Sequence, residues 1–190
     1  NINRERKEHI ITIEDPVEFV HTENNSIISQ REVGRDTVSF ASALKGALRE
    51  DPDIILLGEM RDYETISLAL TAAETGHLVF GTLHTSGAAE TINRIIDAFP
   101  ADEQPQARSM VASSLQLVMT QQLLKRKGGG RIDAFEVMVC VPAIRNLIRE
   151  DKIPQIATVM QTGAQFGMIT MEKYVDELEK QDLIIIEDDD

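Results

Sequence analysis

Three short apolar runs, separated by stretches with helical spacing, constrain the fold of this chain more than any other feature. The runs are Ile10–Ile13, Asp53–Leu57 and Leu78–Leu83. Runs of this length, rich in Ile, Leu and Val, are typical of strands buried on both faces of a parallel sheet. Helical segments between such strands indicate right-handed βαβ connections. The sequence therefore predicts an α/β protein built on a doubly wound, mainly parallel sheet.

Two helices are predicted between these strands. Thr37 is the expected N-cap of the first, which ends before Pro52. Asp62 is the expected N-cap of the second, which stops at Gly76 because glycine readily adopts the left-handed conformation that ends helices. These helices supply the connections that a parallel sheet requires.

The second half of the chain has a different pattern. A helix is expected over residues 101–117, and residues 118–124 either continue it or form a strand. The glycines at 128–130 indicate a turn before a strand over residues 132–139, which favours a β-hairpin at the sheet edge. Short helices are expected to begin at Pro142, Pro154 and Thr170. We predict a core domain over residues 1–140 and a helical region with an acidic tail over residues 141–190.

Composition narrows the function classes. A length of 190 residues, 42% of them hydrophobic, suits one soluble domain with a real core. No apolar run is long enough to cross a bilayer and no apolar leader precedes the first strand, so we expect a cytoplasmic protein without direct membrane insertion. A formal net charge of −13 argues against nucleic acid as a partner. The single cysteine, Cys140, is flanked by apolar residues and is expected to be a buried, unreactive thiol.

Polar side chains follow each of the three predicted strands. Glu14, Asp15 and Glu18 follow the first, Glu59 and Arg61 the second, and His84 the third. Ligands of open parallel sheets bind at the carboxyl ends of the strands, where these loops converge. We therefore expect the carboxylates, the arginine and the histidine to meet at one edge of the sheet.

Glu59 is the most specific of these residues. An apolar strand that ends in an acidic residue has the form of the second nucleotide motif of P-loop enzymes, in which a carboxylate orients water or contacts a magnesium-bound water. Glu59 is thus the candidate general base, although a residue that only ends the strand remains the alternative. Glu14 and Asp15 suit an outer-shell magnesium role, since that ion prefers oxygen ligands, or they belong to a turn set by Pro16.

The remaining candidates are more ambiguous. His84 could donate a hydrogen bond to a γ-phosphate, or it could be structural. Arg61 could pair with phosphate or with the nearby carboxylates. His77, in the turn before the third strand, suits capping or packing as well as function. No Gly-x-x-x-x-Gly-Lys-Ser/Thr loop occurs, so the chain by itself should bind ATP poorly.

Four segments together resemble the secretion-superfamily ATPases. Ile11–Phe19 resembles their aspartate box, Leu48–Asp62 their Walker B segment and Thr75–Thr85 their histidine box, in the family's order and spacing. Ala143–Arg149 is similar to the motif typical of type IV pilus retraction ATPases, the twitching-motility group. The likeness covers nearly the whole chain and is weakest after about Thr170.

The resemblance implies a RecA-like fold, a homohexameric ring, ATP with Mg²⁺ as cofactors, and an inner-membrane pilus platform protein as partner. It also implies that an N-terminal PAS-like domain and the Walker A loop lie upstream of Asn1. Glu59 matches the catalytic glutamate, Glu14 and Glu18 the aspartate-box acids, and His77 and His84 the histidine-box pair. We therefore assign catalysis to Glu59, Glu14, Glu18 and His84, nucleotide binding to His77, His84, Arg61 and Asp15, and metal binding to Glu14 and Glu59. The retraction motif is assigned to Ala143, Ile144, Arg145, Asn146, Leu147 and Ile148.

Alternatives remain at this point. Periodicity alone makes the segment around Arg145 an ordinary amphipathic helix, with Ile144, Leu147 and Ile148 facing the core. A truncated chain that no longer hydrolyses ATP and serves as an assembly or binding module is a second class. A type II secretion or pilus-extension ATPase is a third, although such relatives often carry a four-cysteine zinc insert and this chain has one cysteine.

Overall fold

A computed structural model describes residues 1–184, which form two compact units that divide between His84 and Thr85. The helices are α1 Ile2–Glu5, α2 Phe40–Ala47, α3 Tyr63–Glu74, α4 Ala88–Asp97, α5 Gln104–Ser114, α6 Pro142–Arg149, α7 Ile156–Gln161 and α8 Met171–Lys180. The strands are β1 His9–Glu14, β2 Ile27–Glu32, β3 Ile54–Leu57, β4 Leu78–Gly81, β5 Leu117–Lys125 and β6 Arg131–Val139. The predicted domain division at residue 140 stays a prediction.

The first unit contains the parallel sheet that the apolar runs predict. Its strand order is β2-β1-β3-β4, and every neighbouring pair is parallel. Ile11 and Ile13 of β1 and Ile55 and Leu57 of β3 are fully buried in one core with α2 and α3. Because alternate side chains point to opposite faces, both helices cover the same face of the sheet. The predicted α/β class with a mainly parallel sheet is confirmed.

The two predicted helix starts have different outcomes. Asp62 caps α3 as predicted, since its Oδ1 accepts a hydrogen bond from the Thr65 backbone N–H at 2.9 Å. The prediction of Thr37 as the cap of α2 is wrong. Ser39 is the cap, and its Oγ accepts from the Ser42 N–H at 3.1 Å. Thr37 instead donates its hydroxyl to the Ser39 carbonyl, so it buttresses the turn before the helix.

Three elements had no counterpart in the sequence predictions: the four-residue helix α1, strand β2 and helix α4. Strand β2 pairs in parallel with β1 at the sheet edge, and its mixed polar residues gave no apolar run. Helix α4 buries Ile92, Ile95 and Ile96 on one face. Its spacing of three and four between apolar residues was the signal that could have revealed it.

The second unit contains the predicted β-hairpin. β5 pairs antiparallel with β6 in unbroken register from Leu117↔Val139 to Lys125↔Arg131, so residues 118–124 are a strand and not a helical extension. Their hydrogen bonds join the two strands as a two-stranded sheet. The predicted helix over 101–117 is shorter, because α5 ends at Ser114.

The C-terminal helices follow the predictions. Pro142 is the first residue of α6, and Thr170 caps α8 by accepting from the Lys173 N–H. Pro154 lies in a 3₁₀ turn that leads into α7. Cys140 is buried, and burial raises the pKa of its thiol to about 11, as expected for an inert cysteine. The acidic tail at 187–190 lies outside the described residues.

Candidate functional site

The carboxyl ends of β1, β3 and β4 bring the main candidates to one edge of the sheet. β1 ends at Glu14, β3 is followed directly by Gly58 and Glu59, and β4 is followed by the segment that carries His84. The strands are adjacent and parallel, with Ile13 opposite Leu57 and Leu57 opposite Gly81. The prediction that Glu14, Glu59 and His84 share one edge is confirmed.

Glu59 lies at the centre of a charged cluster at this edge. Its Oε1 is 3.0 Å from His84 Nε2, and its Oε2 forms an ion pair with Arg61. The Glu59 side chain is 16% exposed, whereas those of Arg61 and His84 are 69% and 87% exposed. The hydrogen bond from Arg61 and its charge, with a smaller contribution from His84, hold the pKa of Glu59 below its ordinary value. Glu59 is therefore a shielded, ionised carboxylate beneath two exposed donors.

Backbone contacts beyond the strand ends fix the position of Glu59. The Met60 N–H donates to the Thr82 carbonyl at 2.9 Å, and the Thr82 N–H donates to the Leu57 carbonyl at 3.3 Å. The Thr82 hydroxyl also donates to the carbonyl of Gly58. The segments after β3 and β4 are thus joined on both sides of Glu59, which keeps it next to the residues that lead to His84.

Gly58 allows this part of β3 to lie close against β1. A Cβ at position 58 would lie 3.1 Å from the Ile13 carbonyl oxygen and 3.2 Å from the Glu14 Cα. Both neighbours are backbone atoms, which cannot move aside as a flexible side chain could. Only glycine fits without displacing Glu14, so Gly58 sets the close spacing between the two carboxylate-bearing strand ends.

The Glu14 side chain is held by polar partners on its own side of the sheet. Its Oε1 accepts from the Thr12 hydroxyl at 2.5 Å and from Gln30 Nε2 at 3.1 Å. Gln30 also donates to the Phe19 carbonyl, so β2 fastens the loop that follows Glu14. Glu18 is exposed in this loop.

Asp15 is linked to the cluster by charge. It is exposed directly after β1, and its carboxylate helps to raise the pKa of Arg61, although Glu59 is the larger cause. Arg61 therefore lies in a field of two carboxylates. Of the two roles that the sequence left open for Arg61, pairing with nearby carboxylates is the one seen in this structure.

His77 lies at the opposite edge of the sheet. It directly precedes β4, and its Nδ1 is 2.9 Å from the Ala72 carbonyl oxygen near the end of α3. It lines a polar cavity of about 390 Å³ with residues that include Glu8, Asp51 and Asp53. The four residues of β4 separate it from the Glu59 cluster by about 13 Å. The structure does not bring His77 together with the other candidates.

The edge is not a ready-made metal cage. Within residues 1–184, no three His, Cys, Asp or Glu side chains come together in a way that could hold a metal ion. Oxygen ligands are nevertheless present in Glu59 and Glu14, which suits Mg²⁺, an ion that keeps several waters and takes only one or two carboxylates from protein. The donor set therefore fits an ion that a bound phosphate and water would also ligate.

The predicted retraction motif lies in α6, and its residues are divided between the buried and the exposed face of that helix. Ile144 and Ile148 are fully buried, whereas Ala143 and Asn146 are exposed and Leu147 is half-buried. Arg145 Nη1 donates to the carbonyls of residues 112 and 113 at 2.6 and 2.9 Å. The motif thus contains two core residues, an arginine that donates hydrogen bonds to carbonyl groups at the end of α5, and a small exposed face.

Three residues that hold the site were missed by the sequence reasoning. They are Thr12, Gln30 and Thr82, and each hydrogen-bonds directly to a site residue or its neighbouring backbone. Thr12 stands two residues before Glu14 and so shares its face of the strand, which was a usable signal. Gln30 was hidden because β2 itself was not predicted.

The fold and this edge match a known protein family. Residues 1–129 match the family described as Type II/IV secretion system protein, and the chain belongs to it. Within residues 1–184, no helix is long and apolar enough to span a membrane.

Two curated relatives are similar in sequence to most of this chain. The chain is 60% identical over 171 residues to the type IV pilus retractation ATPase PilT of Pseudomonas aeruginosa, covering 90% of this chain and 50% of the relative. It is 59% identical over 184 residues to a twitching motility protein of Neisseria gonorrhoeae, covering 96% and 49%. The chain therefore spans about half the length of the curated relatives it matches.

A solved structure shares the fold. The crystal structure of the pilus retraction motor PilT with bound ADP superposes with a TM-score of 0.91 at 53% identity, covering 97% of this chain and 52% of that one. The RecA-like arrangement that the sequence motifs imply is thus confirmed by a close structural neighbour.

Proposed function

We propose that the full-length protein containing this chain is an ATP-hydrolysing motor subunit that powers type IV pilus retraction. One observation carries the proposal: Glu59 stands ionised and shielded at the carboxyl edge of a parallel sheet, between the donors Arg61 and His84. A carboxylate in that place can orient and deprotonate an attacking water. Exposed hydrogen-bond donors on either side can stabilise the charge on a transferring phosphoryl group.

The residues divide the work by position. Glu59 acts as the general base, and His84 and Arg61 contact the γ-phosphate. Glu14, with Asp15 and Glu18 in the loop after it, would contact water bound to Mg²⁺, and Glu59, which follows the strand adjacent to that of Glu14, would share that role. When bound, Mg²⁺ neutralises phosphate charge and orients the phosphate oxygens. His77 lies at the other edge of the sheet, away from the Glu59 cluster, so its position gives no support to a role in binding the same phosphate.

The contacts of Glu59 with Arg61 and His84 bear on its role as a base. Both of its carboxylate oxygens are engaged, Oε2 by Arg61 and Oε1 by His84. Each oxygen keeps a lone pair that could accept from water, but the two donors make the carboxylate a weaker base. A γ-phosphate carries more negative charge than one carboxylate, so its arrival would draw the two donors toward itself. Nucleotide binding would thereby free Glu59 for catalysis.

Other parts of the motor are proposed to come from beyond these residues. The phosphate-cradling loop that the chain lacks would be supplied by the remainder of the full-length protein, since the relatives are about twice as long as the matched region. By analogy with the named relatives, we propose a homohexameric ring at the cytoplasmic face of the inner membrane. The exposed face of α6, with Ala143 and Asn146, is the proposed surface through which the motor acts on a pilus platform protein.

Two observations favour retraction over related machines. The relatives at 60% and 59% identity are a retraction ATPase and a twitching motility protein. The single cysteine leaves no four-cysteine zinc insert in this chain, which is a feature of many type II secretion and pilus-extension relatives. A non-hydrolysing binding module is the remaining alternative, and an activity assay separates it from the motor.

The decisive experiment is the Glu59→Gln variant of the full-length protein. Glutamine keeps the size and one hydrogen-bond acceptor but cannot take a proton, so we expect retained ATP binding with a fall in kcat of about 10²–10⁴-fold. Phosphate release and binding of a fluorescent ATP analogue measure the two quantities. Glu64 is an exposed residue of α3 that forms an ion pair with Lys45. Glu64→Gln is therefore the matched control and should keep wild-type turnover. Turnover of Glu59→Gln within threefold of wild type would remove Glu59 from catalysis.

A further inference from the structure

Two side chains on adjacent strands of the first unit bind the same oxygen of Glu14. Thr12 of β1 lies opposite Gln30 of β2 in the parallel register, and Glu14 follows two residues after Thr12. Residues in this arrangement project from the same face of the sheet. The Thr12 hydroxyl and Gln30 Nε2 both donate to Glu14 Oε1, at 2.5 and 3.1 Å. Among residues 1–184 the hydrogen bonds to this carboxylate end on Oε1, so Oε2 is the oxygen available to water around a bound Mg²⁺.

Both N–H groups and the carbonyl oxygen of the Gln30 amide are engaged in this part of the unit. Besides its bond to Glu14, Nε2 donates to the Phe19 carbonyl at 2.9 Å, and Oε1 accepts from the His21 N–H at 2.8 Å. An amide rotated by half a turn would place its own N–H groups against that of His21, so the network fixes its orientation. One side chain thus ties the Glu14 carboxylate to the loop that follows it.

A second residue of β2 holds the same loop but has a different reach. Glu32 Oε2 accepts from the Val17 N–H at 3.0 Å. The loop therefore contacts side chains of β2 at residues 17, 19 and 21, the alternation expected of an extended segment. An ionised carboxylate accepts hydrogen bonds and donates none, so Glu32 can hold the loop but cannot donate to Glu14. Of these two residues, only Gln30 can link the loop to the acid at the site.

We propose that Gln30 is a positioning residue for Glu14. It fixes which oxygen of that carboxylate is turned outward, and it keeps the loop that carries Asp15 and Glu18 beside it. This inference rests on the proposed function, in which these three acids contact water bound to Mg²⁺. Gln30 itself touches no reacting atom. Removal of a polar group that orients a metal-binding carboxylate typically lowers metal affinity or activity by about 10–100-fold.

Metal binding by the full-length protein tests the proposal without turnover. Mn²⁺ replaces Mg²⁺ as a paramagnetic probe, and its binding in the presence of ADP is measured by electron paramagnetic resonance. Gln30→Met keeps the length of the side chain and loses every bond of the amide. We expect this variant to bind Mn²⁺ about tenfold or more weakly than wild type. Gln161→Ala, at an exposed position at the end of α7, should match wild type.

Glu32→Ala is the control that separates the loop from the carboxylate. It removes the bond to Val17 and leaves Gln30 with its bond to Glu14 in place. Its Mn²⁺ affinity should therefore stay within about threefold of wild type. Hydrogen exchange confirms which bond is lost: the Val17 amide should exchange about tenfold faster in Glu32→Ala, and the His21 amide about tenfold faster in Gln30→Met.

Steady-state kinetics add a second readout. Gln30→Met should lower kcat about tenfold and change KM for ATP by less than about threefold, because a misplaced group at the reacting phosphate affects the rate more than the binding of the nucleotide. Glu32→Ala should keep kcat within about threefold of wild type. Where methionine leaves the protein unfolded by circular dichroism, Gln30→Asn takes its place, since its amide is one methylene too short to reach both Glu14 and the loop.

The outcomes separate this inference from the proposed function. Wild-type Mn²⁺ affinity in Gln30→Met overturns the positioning role, and so does equal weakening in Gln30→Met and Glu32→Ala, which would assign the effect to the loop alone. A wild type that binds Mn²⁺ with ADP but hydrolyses no ATP overturns the proposed function, while metal binding still decides the role of Gln30. A wild type that binds no Mn²⁺ in the presence of ADP overturns both.

Discussion

Glu59 shows how one side chain acquires its chemistry from its neighbours. Arg61 is two residues away in sequence, whereas His84 comes from the next strand, and both donate to the same carboxylate. Together they keep the pKa of Glu59 low. A carboxylate with a low pKa is a weak base, so its usefulness depends on being released from these partners when phosphate binds. Neighbouring charged and polar groups, and not burial in an apolar pocket, therefore set the direction in which the pKa of Glu59 is shifted.

Removing Arg61 should raise the pKa of Glu59. The folded-state pKa lies below the ordinary value of 4.5, so the stabilisation from this pairing is present above that pH and is lost as the pH falls through the folded pKa. In Arg61→Ala we expect the titration midpoint of Glu59 to move up toward 4.5. Carbon-13 NMR of glutamate carboxyls, assigned with Glu59→Gln, measures it. Arg35→Ala, which removes an exposed partner of Asp36, should leave the midpoint unchanged.

Helix ends in this chain are held either by their own caps or by groups from elsewhere in the fold. Helix α4 takes its cap from Glu136, α3 has its own cap in Asp62, and α5 ends under the guanidinium of Arg145. Free N–H and C=O groups at helix ends need partners, so such contacts decide where each helix begins and ends. Arg145 of α6 satisfies carbonyl groups at the end of α5, and the family resemblance associates the same residue with pilus retraction.

Arg145→Ala should destabilise the protein as well as impair any contact with a partner. Its guanidinium donates to two carbonyls at the end of α5 and to Gln116 Oε1 at 3.1 Å. Loss of these charge-assisted bonds should lower the free energy of unfolding by about 1–3 kcal/mol. Thermal unfolding followed by circular dichroism measures the change.

The same helix offers a control for this prediction. Arg149 is exposed and, within residues 1–184, its side chain donates to Asn146 Oδ1, so Arg149→Ala should change stability by less than about 0.5 kcal/mol. We still expect full-length Arg145→Ala that remains folded to retain ATPase activity while retraction is impaired. Equal melting temperatures for Arg145→Ala and wild type would show that Arg145 is free to serve a partner alone.

At the scale of the whole molecule, the proposed function gives this chain the general base and the phosphate contacts of a nucleotide site, without a phosphate-binding loop. The parallel sheet sets out Glu14, Glu59 and His84 at one edge, but the sequence has no Gly-x-x-x-x-Gly-Lys-Ser/Thr. Backbone N–H groups of such a loop supply most of the neutralisation of phosphate charge. A net charge of −13 works against anion binding in their absence.

The 190-residue chain alone should therefore have little ATPase activity. We expect less than about 1% of the turnover of the full-length product at equal concentration, because binding energy from the phosphate loop is missing. Phosphate release by both proteins, with Mg²⁺ present, measures the difference. Activity of the short chain within tenfold of the full-length protein would mean that the nucleotide is held in a different way from the one proposed.

Local pattern by itself determined much of this protein. Apolar runs predicted three strands, their common direction placed Glu14, Glu59 and His84 at one edge, and glycine and proline marked the turns, because these signals depend on neighbours in sequence. The resemblance grouped His77 with His84, whereas the structure places His77 before β4, at the other edge of the sheet. Polar edge strand β2 gave no such signal.

The tertiary structure alone decided which polar groups meet. The pairing of Glu59 with His84, the bond from Gln30 to Glu14 and the caps supplied by Glu136 and Arg145 each join residues that lie 16 or more positions apart. Such contacts depend on the packing of whole elements and on side-chain rotamers, which no window of neighbouring residues contains. A buried or helix-end polar group takes its partner from whatever the fold brings within reach, and only the folded chain fixes that choice.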